Sequence, residues 1–271
     1  MSKHMDKTRL STRTAGSVLA ILSYAIPPVV ALSIWQYAVW RSPQLTFIFG
    51  SPAGVLSALI DDCGDGQLWN HLLLTAFEAL SGLSLGVISG CSCALVLWRI
   101  PSLARIVRPY LIAAGSVPIF AIAPMLIMWF GTGFTAKVMM SGIAVFFVAL
   151  TRCYESACEC SDRYDALLIL LQVPYRAFIT KIVIPGMLRS TASNLKMCIS
   201  VSILGAFIGE FVSSTAGLGH YILTASSLYD TPRVILGLIL LSTLALSANL
   251  AVVLLERGAP RYFLQKERTL Q

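Results

Sequence analysis

The sequence predicts an all-α membrane protein with six transmembrane helices, and three observations carry that prediction. Of 271 residues, 56% are apolar and 12% charged, with a mean hydropathy of +0.77, whereas a soluble domain carries roughly 25% charged residues. Six apolar runs approach or exceed the roughly 20 residues that a helix needs to cross about 30 Å of hydrocarbon. None shows the period-two alternation of a membrane barrel strand.

The first run, 17–40, follows a basic leader. Its apolar part is too long for a signal peptide and no small-x-small cleavage site follows, so it is read as a retained helix, kinked at Pro27 and Pro28. The others are 71–98, 106–130, 136–157, 193–213 and 234–255. Residues 1–16 and 258–271 form tails on either side of a membrane domain over 17–257, whose longest connection is 158–189.

Lysine and arginine set the orientation. With the N-terminus in the cytoplasm, sixteen of the 20 basic residues fall in the tails and connections on that side. Only Arg41, Lys137 and Arg233 fall outside, and Lys196 lies at the inner start of the fifth run. Both termini are therefore expected in the cytoplasm. The net charge of +7 is topological, and no basic cluster interleaved with aromatics points to nucleic acid.

Catalytic chemistry finds no footing. There is no GK dipeptide and hence no P-loop, nor any G-x-S-x-G or H-E-x-x-H. Of the seven cysteines only Cys63 lies on the outer side, and the pairs Cys91 with Cys93 and Cys158 with Cys160 lack zinc-site spacing. They read as packing residues, and no cofactor or metal is expected. Glu78 and Glu210 lie near the outer ends of the second and fifth runs, so no ionisable group marks mid-membrane depth as it does in many ion-driven carriers.

The connection 158–189 is too polar to span and too patterned for a linker. It contains "YDALLILLQV", ended by Pro174, and "RAFITKIVIP", closed by Pro185. Two short helices on the membrane surface are expected, either covered by a partner or resting in the headgroups.

The spacing from Gln172 to Ile182, Ile184 and Pro185 is similar to the loop of permease subunits of binding-protein-dependent ABC importers, whose pattern is E-A-A, three residues, G, nine residues, I-x-L-P. In order and spacing, "LWNHLLLT" (68–75), "SVPIFAIAPMLIMWFGTGFTAKV" (116–138) and "GEFVSSTAGLGHYI" (209–222) resemble the nitrate, sulfonate and taurine import permeases. The likeness runs from about Pro52 to Arg257. Four positions depart at the loop, with Ala166, Leu167 and Leu168 for E-A-A and Gln172 for the glycine, while Asp165 lies one residue earlier. Glu78 stands where such permeases commonly carry arginine, and Phe134 where a polar or acidic residue is usual.

The resemblance implies an ABC importer permease (MetI-like) fold. Its implied partners are a second permease copy in a homodimer, a cytoplasmic ABC ATPase dimer that binds the ATP, an outer solute-binding protein and the bilayer of a bacterial inner membrane. It implies ATPase coupling through Tyr164, Asp165, Ala166, Leu167, Leu168, Leu171, Gln172, Pro174, Arg176 and Pro185, with 164–176 as a docking helix. Gate or path candidates are Pro118, Pro124, Trp129, Gly131, Lys196, Glu210, Gly217 and Gly219; for Gly131, Gly217 and Gly219 an ordinary loop role remains equally open. The expected solute is a small anion such as nitrate, a sulfonate or taurine. The alternatives are a secondary carrier or channel, and a membrane-embedded enzyme or scaffold.

Overall fold

The structure, a computed structural model, describes residues 26–171 and 174–258. All its regular elements are helical, and no strand occurs among the described residues. In chain order they are α1 (26–41), α2 (Pro43–Phe49), α3 (Pro52–Gly64), α4 (Gln67–Arg99), α5 (Pro101–Gly115), α6 (Ile119–Phe130), α7 (Phe134–Leu171), α8 (Tyr175–Phe178), a π-helical turn (Ile179–Val183), α9 (Ile184–Val212), α10 (Leu218–Ser227) and α11 (Thr231–Gly258). Two compact units divide them. One joins the chain up to Gly64 with Ala225–Leu236, and the other joins Asp65–Thr224 with the chain from Gly237 onward.

Four unbroken helices are long and apolar enough to cross a membrane, at Gln67–Arg99, Phe134–Tyr164, Tyr175–Val212 and Thr231–Leu255. The expected third span is instead a pair, α5 and α6, bent by 95°. Pro118 causes the break. It has no N–H to continue a ladder and forces Val117 out of helical geometry, so α5 ends with the Ser116 amide on Ile112 O and α6 restarts with Pro118 extended at φ −60°, ψ 125°. The first expected span lies partly outside the described residues. The connection after it carries α2 and α3.

In the first unit, Arg233 at the start of α11 grips Asp62 of α3 through Nε and Nη2 at 3.0–3.2 Å, and Asp230 through Nη1 at 2.7 Å. Thr231 donates to Phe47 O at 2.9 Å. One arginine fork satisfied by two carboxylates thus fastens α3 to the α11 start.

In the second unit, α4, α7 and α9 form the core. Gly82, Gly86 and Gly90 recur every fourth residue on the face of α4 that meets α7. A Cβ on Gly86 would stand 2.6 Å from Gly142 O and from Val145 Cβ, so the absent side chains set the interhelical distance. Close approach of this kind drives helix pairing where lipid removes the hydrophobic incentive. The α9 face adds Ile199, Ile203 and Ala206, packed with Ala79 and Val252. Cys91 and Cys153, 62 residues apart, meet between α4 and α7 beside Thr191.

The connection 158–189 differs most from expectation. Its first segment does not lie on a surface as a separate helix; it is the end of α7, a helix of 38 residues and about 57 Å, nearly twice the hydrocarbon thickness. Its second segment runs into α9, and Pro185 sits inside that continuous stretch instead of closing it. The π turn explains how: Ile184 N–H reaches back five residues to Ile179 O, and such a bulge accommodates the donor that Pro185 lacks. The apolar face of this segment is covered within the chain. Phe178, Val183 and Met187 are buried with Ala94, Leu97 and Cys153, and Tyr175 stacks on Trp98 at 6.5 Å under the Arg99 guanidinium.

Candidate functional site

On α4, His71, Thr75 and Glu78 are spaced four and three residues apart and so share one face. That face meets the start of α7 and the end of α9, where Lys137 and Glu210 lie. Glu78, Glu210 and Thr75 are 0% exposed and Lys137 5%; no other cation is buried among the described residues. Lys137 Nζ lies 3.2 Å from Glu78 Oε1 and donates to Ser214 Oγ at 2.6 Å. Glu210 accepts from Thr75 Oγ1 at 2.6 Å and from the Gly219 amide at 2.7 Å. Deeper in the same seam Ser141 and Ser202 share a hydrogen bond of 2.8 Å, and Ser202 donates to Ala79 O.

These groups converge on one turn. Between α9 and α10 the chain reverses over Ser213–Gly217, and the amides at the end of this turn are satisfied by side chains of α4. Gly217 N–H donates to His71 Nδ1 at 2.9 Å, and Leu218 N–H donates to Thr75 Oγ1 at 2.9 Å. Gly217 has φ +106°, and any Cβ there would collide with the Glu210 carboxylate. A Cβ on Gly219 would lie 2.7 Å from Phe207 O. Both positions therefore need glycine, Gly217 for its backbone and Gly219 for space.

The cluster corrects the sequence reading of Lys137. Counted there as a solvent-side charge in a connection, it is buried because Glu78, 59 positions earlier, supplies its counter-charge. A buried pair must be complete, since an unmatched ion in such a place costs several kcal/mol. Nothing in the sequence alone joins Thr75, Glu78, Lys137 and Glu210. The available signal was the period of His71, Thr75 and Glu78 along an otherwise apolar run.

The other candidates are dispersed. Pro118 starts α6, Pro124 lies within it, Trp129 is 65% exposed near its end and Gly131 follows with φ +80°. Lys196 is exposed on α9, 14 residues before Glu210 and about 21 Å away along the axis, and takes no part in the buried cluster. At the far end, Tyr164 packs on the inner core and Pro174 and Arg176 are exposed around the start of α8. Asp165, Ala166, Leu167, Leu168 and Leu171 lie on the last turns of α7, with side chains outside the described residues; Gln172 lies outside them altogether. The expected docking helix 164–176 is thus split, with α7 ending at Leu171 and α8 beginning at Tyr175. Leu170, at 77% exposure, is the apolar side chain visible at this tip. No group of three metal-ligating side chains occurs among the described residues.

A family model described as the inner membrane component of binding-protein-dependent transport systems matches residues 82–260. The chain is 30% identical to a probable ABC transporter permease protein of Haemophilus influenzae, over 80% of this chain and 88% of that one. It is 28% identical to the riboflavin transport system permease protein RibX of Chloroflexus aurantiacus, over 95% and 99%. It is 26% identical to the putative aliphatic sulfonates transport permease protein SsuC of Escherichia coli, over 85% and 88%. Among solved structures, an amino acid ABC transporter with histidines aligns with a TM-score of 0.56 at 17% identity, covering 74% of this chain and 97% of that one. That likeness establishes the fold.

Proposed function

Because the chain belongs to the family of inner membrane components of binding-protein-dependent transport systems, we propose that it forms the translocation path of an ABC importer for a small anion such as a sulfonate, nitrate or taurine. ATP is hydrolysed on separate subunits, an outer binding protein delivers the solute, and two copies of the chain pair to make the path. One observation carries the coupling. α7 and the helix beginning at Tyr175 are each far longer than a bilayer is thick, and they follow one another closely in sequence, α7 described to Leu171 and the next helix entered from an extended Pro174. A tip so built is carried well clear of the membrane and transmits force rigidly, because its base is packed by Phe178, Val183 and Met187. Leu170 offers that tip an apolar anchor.

The anion reading is supported by similarity to the E. coli permease named for aliphatic sulfonates. A second reading, a heterocycle of the riboflavin kind, is supported by the fuller coverage of RibX. Reconstitution of the chain with its ATPase and binding protein in proteoliposomes distinguishes them. ATP-dependent accumulation of taurine or an alkanesulfonate is expected; accumulation of riboflavin alone would replace the solute, and uptake without ATP would return the chain to the carrier class. Leu170→Asp buries an unpaired charge in the ATPase contact and should cut affinity by at least about ten-fold, so that the ATPase is lost on purification while the permease remains inserted. A full complement of ATPase on this variant would remove Leu170 from the contact.

A further inference from the structure

Three amides at the end of the turn between α9 and α10 are held by side chains that differ in what a proton does to them. Gly217 N–H donates to His71 Nδ1 and Leu218 N–H to Thr75 Oγ1, each at 2.9 Å, and Gly219 N–H donates to Glu210 at 2.7 Å. The Thr75 hydroxyl does not titrate, and the Glu210 carboxylate accepts whenever it is ionised. His71 behaves otherwise. Its Nδ1 accepts only in the neutral ring with the proton on Nε2, whereas the imidazolium carries a proton on both nitrogens and would set a donor against a donor.

The surroundings give that change its consequence. Gly217 is buried whereas His71 is partly exposed, so a proton can reach the ring while the amide it abandons is left buried without a partner. The groups around the ring do not offset the new charge. From α10, His220 lies 6.3 Å away and Tyr221 6.0 Å, centroid to centroid; a second imidazole opposes a cation and a neutral phenol does little for it. His220 is itself spaced 3.4 Å from Thr224 Oγ1 on its own helix. On α4 the Glu78 carboxylate is two turns on, about 10 Å along the axis, and is paired with Lys137 of α7. Glu210 of α9 accepts from Thr75 and Gly219. Its carboxylate also fills the space where a Cβ on Gly217 would stand, so a turn that parts from His71 can move only away from the core.

We propose that His71 is a proton-operated latch on this turn: the neutral ring pins Gly217 and the start of α10 to α4, and protonation releases them. The turn is held at neutral and higher pH and loosens as pH falls through the imidazole range. The latch lies at the end of α4 that the charge asymmetry of the sequence places outside, so the pH it reads is that of the outer medium. It works on the fold and does not depend on which solute the protein carries.

Hydrogen exchange of the full chain in nanodiscs, followed by mass spectrometry over residues 213–222, tests this without any transport assay. Protection, corrected for the intrinsic pH dependence of exchange, should fall by about ten-fold or more between about pH 8 and pH 5, as expected when a buried donor loses its partner. The glycine ladder of α4 should show no such step. His71→Asn places an amide oxygen where Nδ1 stood and does not titrate, so it should keep the turn protected across the whole range. His71→Leu, with no acceptor, should exchange at every pH as the unaltered protein does in acid. Protection of the unaltered turn that is indifferent to pH overturns the proposal, and so does a step shared with the α4 ladder, which would be acid unfolding. A step that persists in His71→Asn would assign the titration to His220 or Glu210 and remove His71 from it. Full protection in His71→Leu would show that the imidazole does not hold the turn.

Discussion

Lys137 shows why a residue has to be read through its neighbours. It lies within reach of Glu78 and Ser214, while Glu210 accepts from Thr75 and Gly219, so its loss leaves the fully buried Glu78 without its counter-charge. Lys137→Met should destabilise the folded protein by about 3–5 kcal/mol, the usual consequence of leaving one buried ion unpaired. Adding Glu78→Gln removes the stranded charge and should restore most of the loss, since a complete buried pair is often close to neutral against well-packed uncharged replacements. Thermal melts of the four combinations in detergent measure this directly. Additive losses in the double variant would mean that Lys137 and Glu78 do not act as a pair. The residue types were visible in the sequence, but their pairing was not, because 59 positions separate them and nothing local distinguishes a buried lysine from a loop lysine.

At the scale of elements, the apolar runs located α4, α7, α9 and α11, while their lengths and ends were set by packing. Pro174 ended a helix as its chemistry demands, but Pro185 did not, because a π turn placed before it took up the missing donor. Pro118 broke a span where Pro124, six residues on, is tolerated within α6. The glycine ladder of α4 gives this scale its prediction. Gly86→Val forces two methyl groups against Gly142 O and Val145 and should cost about 1–3 kcal/mol by overpacking, seen as a lower melting temperature and less recoverable protein. Gly64→Ala, with nothing within 4 Å of its Cβ, should be neutral. Equal behaviour of the two variants would show that the α4–α7 approach is not set by the ladder.

For the whole molecule, sixteen of 20 basic residues on one side argue that both termini and the tip between α7 and α8 share the cytoplasm. Cys63, exposed on α3, then lies outside and Cys160 inside. An impermeant maleimide applied to intact cells should label a variant retaining only Cys63 and spare one retaining only Cys160. The reverse pattern would invert the topology.

Composition and run length by themselves determined that this chain is helical and lives in a membrane, because the solvent of a segment is decided by its own transfer free energy and needs no partner. Motif order was enough to indicate an importer permease, and it marked Glu210, Gly217 and Gly219 as residues of interest. Only the tertiary structure decided that these three meet Glu78 and Lys137 at one turn, that the connection 158–189 is formed by two helix ends instead of separate surface helices, and that Arg108 and Arg152 line a single groove. Each of these depends on which faces of α4, α5, α7 and α9 touch. Such contacts arise from small-residue packing and buried polar complementarity between segments tens of residues apart, and a pattern read along one chain has no term for distance across it.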